Sequence, residues 1–342
     1  MQSTLFHISA HLEVGGTSLP LFGLGLLLMA WAVFGGAGFA WAAAQHGMRQ
    51  AATALALPLL VVGALILWVM PALDDGAGIP IRGYGVMLLV AAAAATWLSI
   101  VRGRAVGLDS DTLLALGTDI FIWGLVGARL FYVLEYREQF FRPGMSLTES
   151  LAAVVNIAAG GLVVFGSLPT AAIAAWRFAS RRGLSLAKIG DCIAPGLLLG
   201  LAIGRLGCFL NGCCYGGPCD LPWAVQFPAG SPPAEHHPDL LGGSLPIHPA
   251  QLYAAFDAAL LAALAVLFTP LARRDGEVFA LVLTLHPISR ILLEMIRVDE
   301  PPALGTPLSI SQLISLGLLA LAAVLWWWLA RQPVRPRAAA GL

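Results

Sequence analysis

Three arginines lie inside apolar runs, where a charge is costly: Arg129, Arg205 and Arg290. Arg205 belongs to residues 204–216, GRLGCFLNGCCYG, which end an apolar run starting near Ile189. Gly196, Gly200 and Gly204 recur every fourth residue along that run, a smooth stripe that lets a neighbouring helix approach closely. Arg129 precedes Tyr132 and Tyr136 by three and seven residues, on one helical face. Arg290 precedes Glu294 by four residues and Arg297 by seven, again on one face. A guanidinium fixed at depth binds phosphate or carboxylate in a bidentate way. All three arginines fall in the outer half of their predicted helices, without an equal number of embedded acids. That pattern points to an anion arriving from outside, and in a bilayer to a phospholipid head group. Blander readings stand beside it. Arg129 could snorkel to the interface, and Arg290 with Glu294 could be a purely structural pair.

Other polar residues flank these arginines. His248 begins the stretch HPAQLY at a predicted helix start, and His286 precedes Pro287. A histidine at a membrane border can serve as general base, or simply as a polar interface residue. Of the five cysteines, Cys208, Cys213, Cys214 and Cys219 cluster in twelve residues. Their spacing is not a standard zinc pattern. Metal ligation, a disulfide in an oxidising compartment, a nucleophilic thiolate favoured by Arg205 and inert packing all remain open. Asp191, close to Lys188, reads as the N-terminal cap of its own helix.

The scaffold that must position these groups is membrane-embedded. Hydrophobic residues make up 58% of the 342-residue chain and charged residues 11%, against roughly 25% charged in a soluble domain. The sequence predicts an all-α polytopic membrane protein of nine spanning helices. They lie near 19–43, 51–70, 84–101, 114–134, 151–176, 189–210, 252–270, 277–296 and 308–330. With residue 1 outside, twelve of the nineteen basic residues fall in inside segments, among them Arg335 and Arg337. Arg82, Arg137, Arg142 and Arg297 fall outside, and the three arginines above are embedded. This bias predicts an outer N-terminus and a cytoplasmic C-terminus, with the cysteine-rich end of the sixth helix facing outward. The polar start lacks a basic segment, so no cleavable signal peptide is expected. No basic patch interleaves with aromatics, which argues against nucleic-acid binding. Residues 19–29 weakly resemble residues 79–89, either a duplicated helix start or a chance match.

With these residues in view, the chain resembles the prolipoprotein diacylglyceryl transferase family from about Ile79 to Leu325. The stretches that carry the likeness, in order, are RGYG from Arg82, GARLFYV from Gly127, GGLVVFGSL from Gly160 and GRLGCFLNGC from Gly204. HPAQLY from His248, the Arg290–Glu294–Arg297 helix and SISQL from Ser309 complete the series. The resemblance implies a seven-helix domain over 79–330, behind an extra two-helix segment (1–78) and before a cytoplasmic tail (331–342). It implies transfer of a diacylglyceryl group from phosphatidylglycerol to the lipobox cysteine thiol of a prolipoprotein, at the outer face of a bacterial inner membrane. Partners are then membrane lipid, phosphatidylglycerol and the signal-peptide substrate. No cofactor and no metal is implied. Arg205 and Arg290 would neutralise the departing phosphate, with His248 and His286 as candidate bases. Arg129, Arg205, Tyr84, Asn211, Gly216, Glu294 and Arg297 would bind the phospholipid. The departures are specific. Phe165 stands where the family has histidine, Cys208 replaces asparagine, Cys213 replaces glutamate, and His286 replaces tyrosine. Phenylalanine cannot carry a proton, so an active enzyme needs another base. A paralogue with a different acceptor, or a non-catalytic lipid-binding or transport protein, is the alternative.

Overall fold

The computed structural model describes residues 4–14, 17–142, 144–156, 160–298, 300, 302–303 and 305–334. Arg335 and Arg337, and residues 157–159 of the expected 151–176 helix, lie outside the described residues. Contacts divide the chain into two units, Met1–Val86 and Met87–Leu342.

The first unit holds two small antiparallel pairs that the reading of helices missed. β1 (Thr4–Ile8) pairs with β4 (Ile79–Arg82), and β2 (His11–Val14) pairs with β3 (Thr17–Pro20). Between them run α1 (Leu26–His46) and α2 (Met48–Ala64), the latter extended by a π-helical turn (Leu65–Val69) and α3 (Met70–Ala72). Pro58 lies inside α2. Both similar stretches, 19–29 and 79–89, include strand residues, in β3 and β4.

The second unit is helical. Its elements are α4 (Gly83–Ala105, shared across the division), α5 (Ser110–Glu135), α6 (Arg137–Phe140), α7 (Leu147–Val155), α8 (Val164–Arg181) and α9 (Leu186–Asn211). Then come α10 (Pro232–His236), α11 (Ala250–Phe268) with a 3-10 turn (Thr269–Leu271), α12 (Glu277–Glu294) and α13 (Ile310–Leu329). Among the described residues, seven helices are long and apolar enough to cross a membrane. α8 and α12, 18 residues each, are shorter than those seven, and α12 carries three charged residues, Glu277, Arg290 and Glu294. The expected continuous helix over 151–176 is corrected: it is broken into α7 and α8. Gly160 and Gly161, with φ of 86° and 79°, occupy the left-handed region in the break, which only glycine adopts at little cost.

Sequence-local caps set the helix starts. Asp109 accepts from the backbone N–H groups of Asp111 and Thr112 at the head of α5. Ser146 with Glu149, and Ser309 with Gln312, form capping boxes on α7 and α13. The cap of α9 is Ser185, not Asp191. That expectation fails because Asp191 is already one full turn inside the helix and buried. Its carboxylate reaches across instead, accepting from Gly276 N–H at 2.7 Å and Phe279 N–H at 2.9 Å. It therefore caps α12, whose own N-cap position is a glycine with no side chain to offer.

The same end of the bundle gathers further ties. Arg102 of α4 donates to the Asp191 carbonyl and to Thr269. Arg274 donates to the Gln332 carbonyl after α13. The start of α9 thus meets the ends of α4 and α11 and the start of α12. The end of α9, the start of α11 and the end of α12 meet at the other end, within the second unit, and carry the candidate site.

Small residues set the closest crossings. A Cβ on Gly196 would lie 2.6 Å from the Ala95 carbonyl oxygen of α4, and one on Gly200 3.2 Å from that of Ala91. The third glycine of the stripe, Gly204, meets nothing within 4 Å. A tighter crossing joins α5 to α8. A Cβ on Gly127 would lie 2.1 Å from Thr170 Oγ1 and 2.4 Å from the Gly166 carbonyl oxygen. Gly127→Val is expected to destabilise the protein by about 1–3 kcal/mol, the usual cost of overpacking. A lower unfolding midpoint in detergent checks this, with Gly117→Ala as the neutral control because Gly117 meets nothing within 4 Å.

Candidate functional site

Arg290 projects from the last turns of α12 into a network shared with the start of α13. Its Nη1 lies 2.6 Å from Glu294 Oε2, and its Nη2 donates to Ser311 Oγ at 2.9 Å and faces Glu300 Oε1 at 3.7 Å. Arg297 lies 3.6 Å from Glu294 and 3.4 Å from Glu300. Ser309 donates to Glu294 and Ser311 to Glu300. Two arginines and two glutamates, bracketed by two serines, thus form one largely buried lattice. The expected Arg290–Glu294 pair is present, and Glu300, Ser309 and Ser311, given no role from the sequence, complete the network. The signal was available: Ser309 and Ser311 begin a helix with an S-x-x-Q capping box.

The end of α9 folds back towards this lattice. Gly212 closes the helix at φ 73°, and Cys213 N–H bonds back to the Cys208 carbonyl at 3.2 Å. Gly216 N–H then donates to the His248 carbonyl, His248 N–H to the Gly217 carbonyl, and Gly217 N–H to the Ile296 carbonyl, each at 3.0 Å. A Cβ on Gly216 would sit 2.6 Å from His248 Cβ and 2.9 Å from the Ile296 carbonyl oxygen. Gly216 therefore joins three segments by close approach. Gln251, fully buried at the start of α11, donates from Nε2 to the Cys213 carbonyl at 2.7 Å. Gln251 lies in the HPAQLY stretch, but its partner 38 residues away cannot be read from that spacing.

Arg205 lies within electrostatic reach of Cys214, His286 and Arg290. Its side chain is half-buried. Among the described residues, no hydrogen-bond or ion-pair partner for its guanidinium is present. Hydrogen bonds from Cys208 and Cys213, with the charges of Arg297 and Arg205 behind them, hold the Cys214 thiol well below its ordinary range. His286 faces Asp257 as well as Arg205 and Arg290, and its Nδ1 is buried without a hydrogen bond among the described residues. His248 Nδ1 is 3.4 Å from the Tyr253 hydroxyl, which also accepts from Trp223 at 2.7 Å. Asn211 is exposed at the end of α9. Tyr84 lies in the first unit, on the first turn of α4.

Arg129 is differently placed. It is buried, and each of its N–H groups meets a backbone carbonyl. Nε donates to Val154, Nη1 to Gly160 and Gly161, and Nη2 to Ala153 and Asn156, at 2.7–2.9 Å. Tyr132 and Phe140 stack within 5.5 Å and 5.2 Å of the guanidinium. Here the arginine satisfies carbonyls at the end of α7 and across the break before α8.

The family described as prolipoprotein diacylglyceryl transferase matches residues 72–328. The chain belongs to this family. It is 41% identical over 256 residues to the phosphatidylglycerol–prolipoprotein diacylglyceryl transferase of Rhodopirellula baltica, covering 72% of this chain and 50% of that protein. It is 30% identical to that of Clostridium tetani, over 72% of this chain and 92% of the relative. With the relative from Gloeobacter violaceus it shares 32% identity over 78% and 96%. The match thus spans about half of the Rhodopirellula protein and nearly all of the other two.

The chain is thus a largely helical member of the prolipoprotein diacylglyceryl transferase family, with seven helices among the described residues long and apolar enough to span a membrane. The stretches that carry the likeness fall at the starts of α4, α11 and α13, at the ends of α9 and α12, and at the α5–α8 crossing. Phe165 lies on the first turn of α8, beside the Gly166 that abuts Gly127. The stretch GGLVVFGSL therefore sits at the break that Arg129 organises.

Proposed function

We propose that this chain moves the diacylglyceryl group of phosphatidylglycerol onto the cysteine thiol of a prolipoprotein lipobox, at the outer face of a bacterial inner membrane. The observation that carries this reading is Arg205, a half-buried guanidinium with no protein partner among the described residues, beside the braced Arg290. The acceptor sulfur attacks the glyceryl carbon. The carbon–oxygen bond breaks, and glycerol phosphate departs with the electron pair. Arg205 meets the developing charge on that phosphate, and preorganised charge at this point is the largest available contribution to rate. Glu294, Glu300, Ser309 and Ser311 hold Arg290 and Arg297 in fixed orientations, so that no reorganisation is needed when the phosphate leaves. His286, with its buried Nδ1, and His248 are the candidate bases in place of the histidine that Phe165 replaces. Arg129 positions the α7–α8 break rather than touching phosphate. The positive-inside bias supports an outer N-terminus, and the site at the end of α9 then faces outward.

The exchanges at Phe165, Cys208 and Cys213 favour one second reading, the same phospholipid donor with a different acceptor. The test uses the purified chain with phosphatidylglycerol and a lipobox peptide, following peptide mass and released glycerol phosphate. The expected result is a mass gain of one diacylglyceryl group, lost when the peptide cysteine becomes serine. Glycerol phosphate released without peptide modification would replace this reading with the second. Lipid binding with neither signal would leave a binding protein.

A further inference from the structure

We propose that Cys208, Cys213 and Cys214 form a three-thiolate zinc(II) site whose fourth coordination position takes the acceptor thiol. The thiol role rests on the transfer reading above; the metal site does not.

The geometry comes from the end of α9. The Sγ atoms of the three cysteines all lie within 4.8 Å of one another. Three sulfurs around one ion at about 2.3 Å each need a mutual spacing only slightly smaller. Sequence spacing hides this cluster, since C-x4-C-C matches no common zinc pattern. The helix end creates it. Gly212 turns the chain back at φ 73°, Cys213 N–H returns to the Cys208 carbonyl, and Cys214 continues the turn at φ 62°. Cys214 is the one non-glycine residue with a left-handed backbone among the described residues. Non-glycine residues in this conformation cluster at functional sites and ligand clamps. Gln251 fixes the turn through the Cys213 carbonyl at 2.7 Å. All three cysteines are free thiols and half-buried, so each is both available and partly shielded. Cys219, on the far side of the Gly216–Gly217 segment, is not among the three.

Soft thiolates select zinc(II) or copper(I). Charge favours zinc. Three thiolates and one zinc(II) leave a single negative charge, and Arg205 and Arg297 both act electrostatically on Cys214. Three protein ligands with one open position is the arrangement of catalytic rather than structural zinc. A thiol that coordinates such an ion is deprotonated outright. Phe165 cannot accept a proton, and coordination to the metal supplies a deprotonated sulfur without placing the whole demand on His286 or His248. The acceptor thiol binds zinc and its proton passes to water. The zinc-bound sulfur then gives its electron pair to the glyceryl carbon as the carbon–oxygen bond breaks. The thioether leaves the metal and glycerol phosphate leaves the arginines.

Cobalt(II) is the probe, added to the reduced full-length protein in detergent. The expected result is one cobalt per chain with a sulfur-to-cobalt charge-transfer band, displaced by zinc(II). Cys214→Ser should weaken binding by at least about 100-fold, since losing even an outer partner of a ligand costs about 10–100-fold. Cys219→Ser should leave binding unchanged. The cobalt spectrum of the unmodified protein should shift with a cysteine lipobox peptide and not with its serine counterpart. The proposal is overturned if reduced protein binds no cobalt, if Cys214→Ser binds it as well, or if the spectrum ignores the cysteine peptide. A disulfide among the three cysteines in protein isolated without reductant would also overturn it. A spectrum that responds to the peptide while no glycerol phosphate is released supports this site and removes the transfer reading instead.

Discussion

Arg205→Ala is expected to lower kcat for glycerol phosphate release by about 10²–10³-fold, the usual loss on removing one preorganised donor to a developing anion. The contrast with Arg290 carries the expectation. Arg290 is occupied: Glu294 at 2.6 Å, Ser311 at 2.9 Å and Glu300 at 3.7 Å share its guanidinium. Removing it would leave the buried Glu294 with only the longer 3.6 Å contact to Arg297, so its loss would mix folding with chemistry. Arg205 has no such partner among the described residues, and its removal strands no buried acid there. The unfolding midpoint in detergent should therefore stay near that of the parent protein while turnover collapses. Arg205→Lys should recover part of the rate, because an ammonium restores charge but not the two-pronged fork. Near-normal turnover in Arg205→Ala would remove this residue from the phosphate site.

Much of this site was legible because its chemistry is local. Glu294 and Arg297 face Arg290 by helical periodicity, and the structure joins them in one network. The glycine stripe of α9 was legible for the same reason, since every fourth residue lies on one face. Gly196 and Gly200 receive α4, whereas Gly204 lies beyond the crossing. What was not legible depends on distant partners. Asp191 looks like a local cap because aspartate at a helix start usually is one, yet its acceptors are satisfied by N–H groups 85 and 88 residues away. The three cysteines look irregular in spacing, and only the reversal after Gly212 brings their sulfurs together. The strand β1 was unreadable for a similar reason. Its partner β4 lies more than seventy residues on, and neither is long enough to show an alternation.

The second large effect concerns the expected helix over 151–176. Its apolar composition satisfies the length of a span, so hydropathy alone reports one helix. The structure breaks it, and the break creates a cost that hydropathy does not register. Carbonyl groups at the end of α7 and in the Gly160–Gly161 turn lose their helical donors, and a carbonyl left without a partner away from water is costly. Arg129 supplies five hydrogen bonds to five such carbonyls. Arg129→Ala is therefore expected to destabilise the protein by about 3–5 kcal/mol. A bond to a charged donor contributes about 1.5–3 kcal/mol, but five made by one group do not add. Arg129→Lys should rescue little, because an ammonium has three donors and no planar fork to span both sides of the break. The decisive comparison sets the unfolding midpoint of Arg129→Lys against its KM for phosphatidylglycerol. A clamp on the break lowers the midpoint sharply, and activity falls with the folded fraction. A phosphate ligand would leave the midpoint nearly unchanged and raise KM. Five carbonyl partners on one guanidinium leave no N–H for a phosphate oxygen, so the first pattern is the expected one.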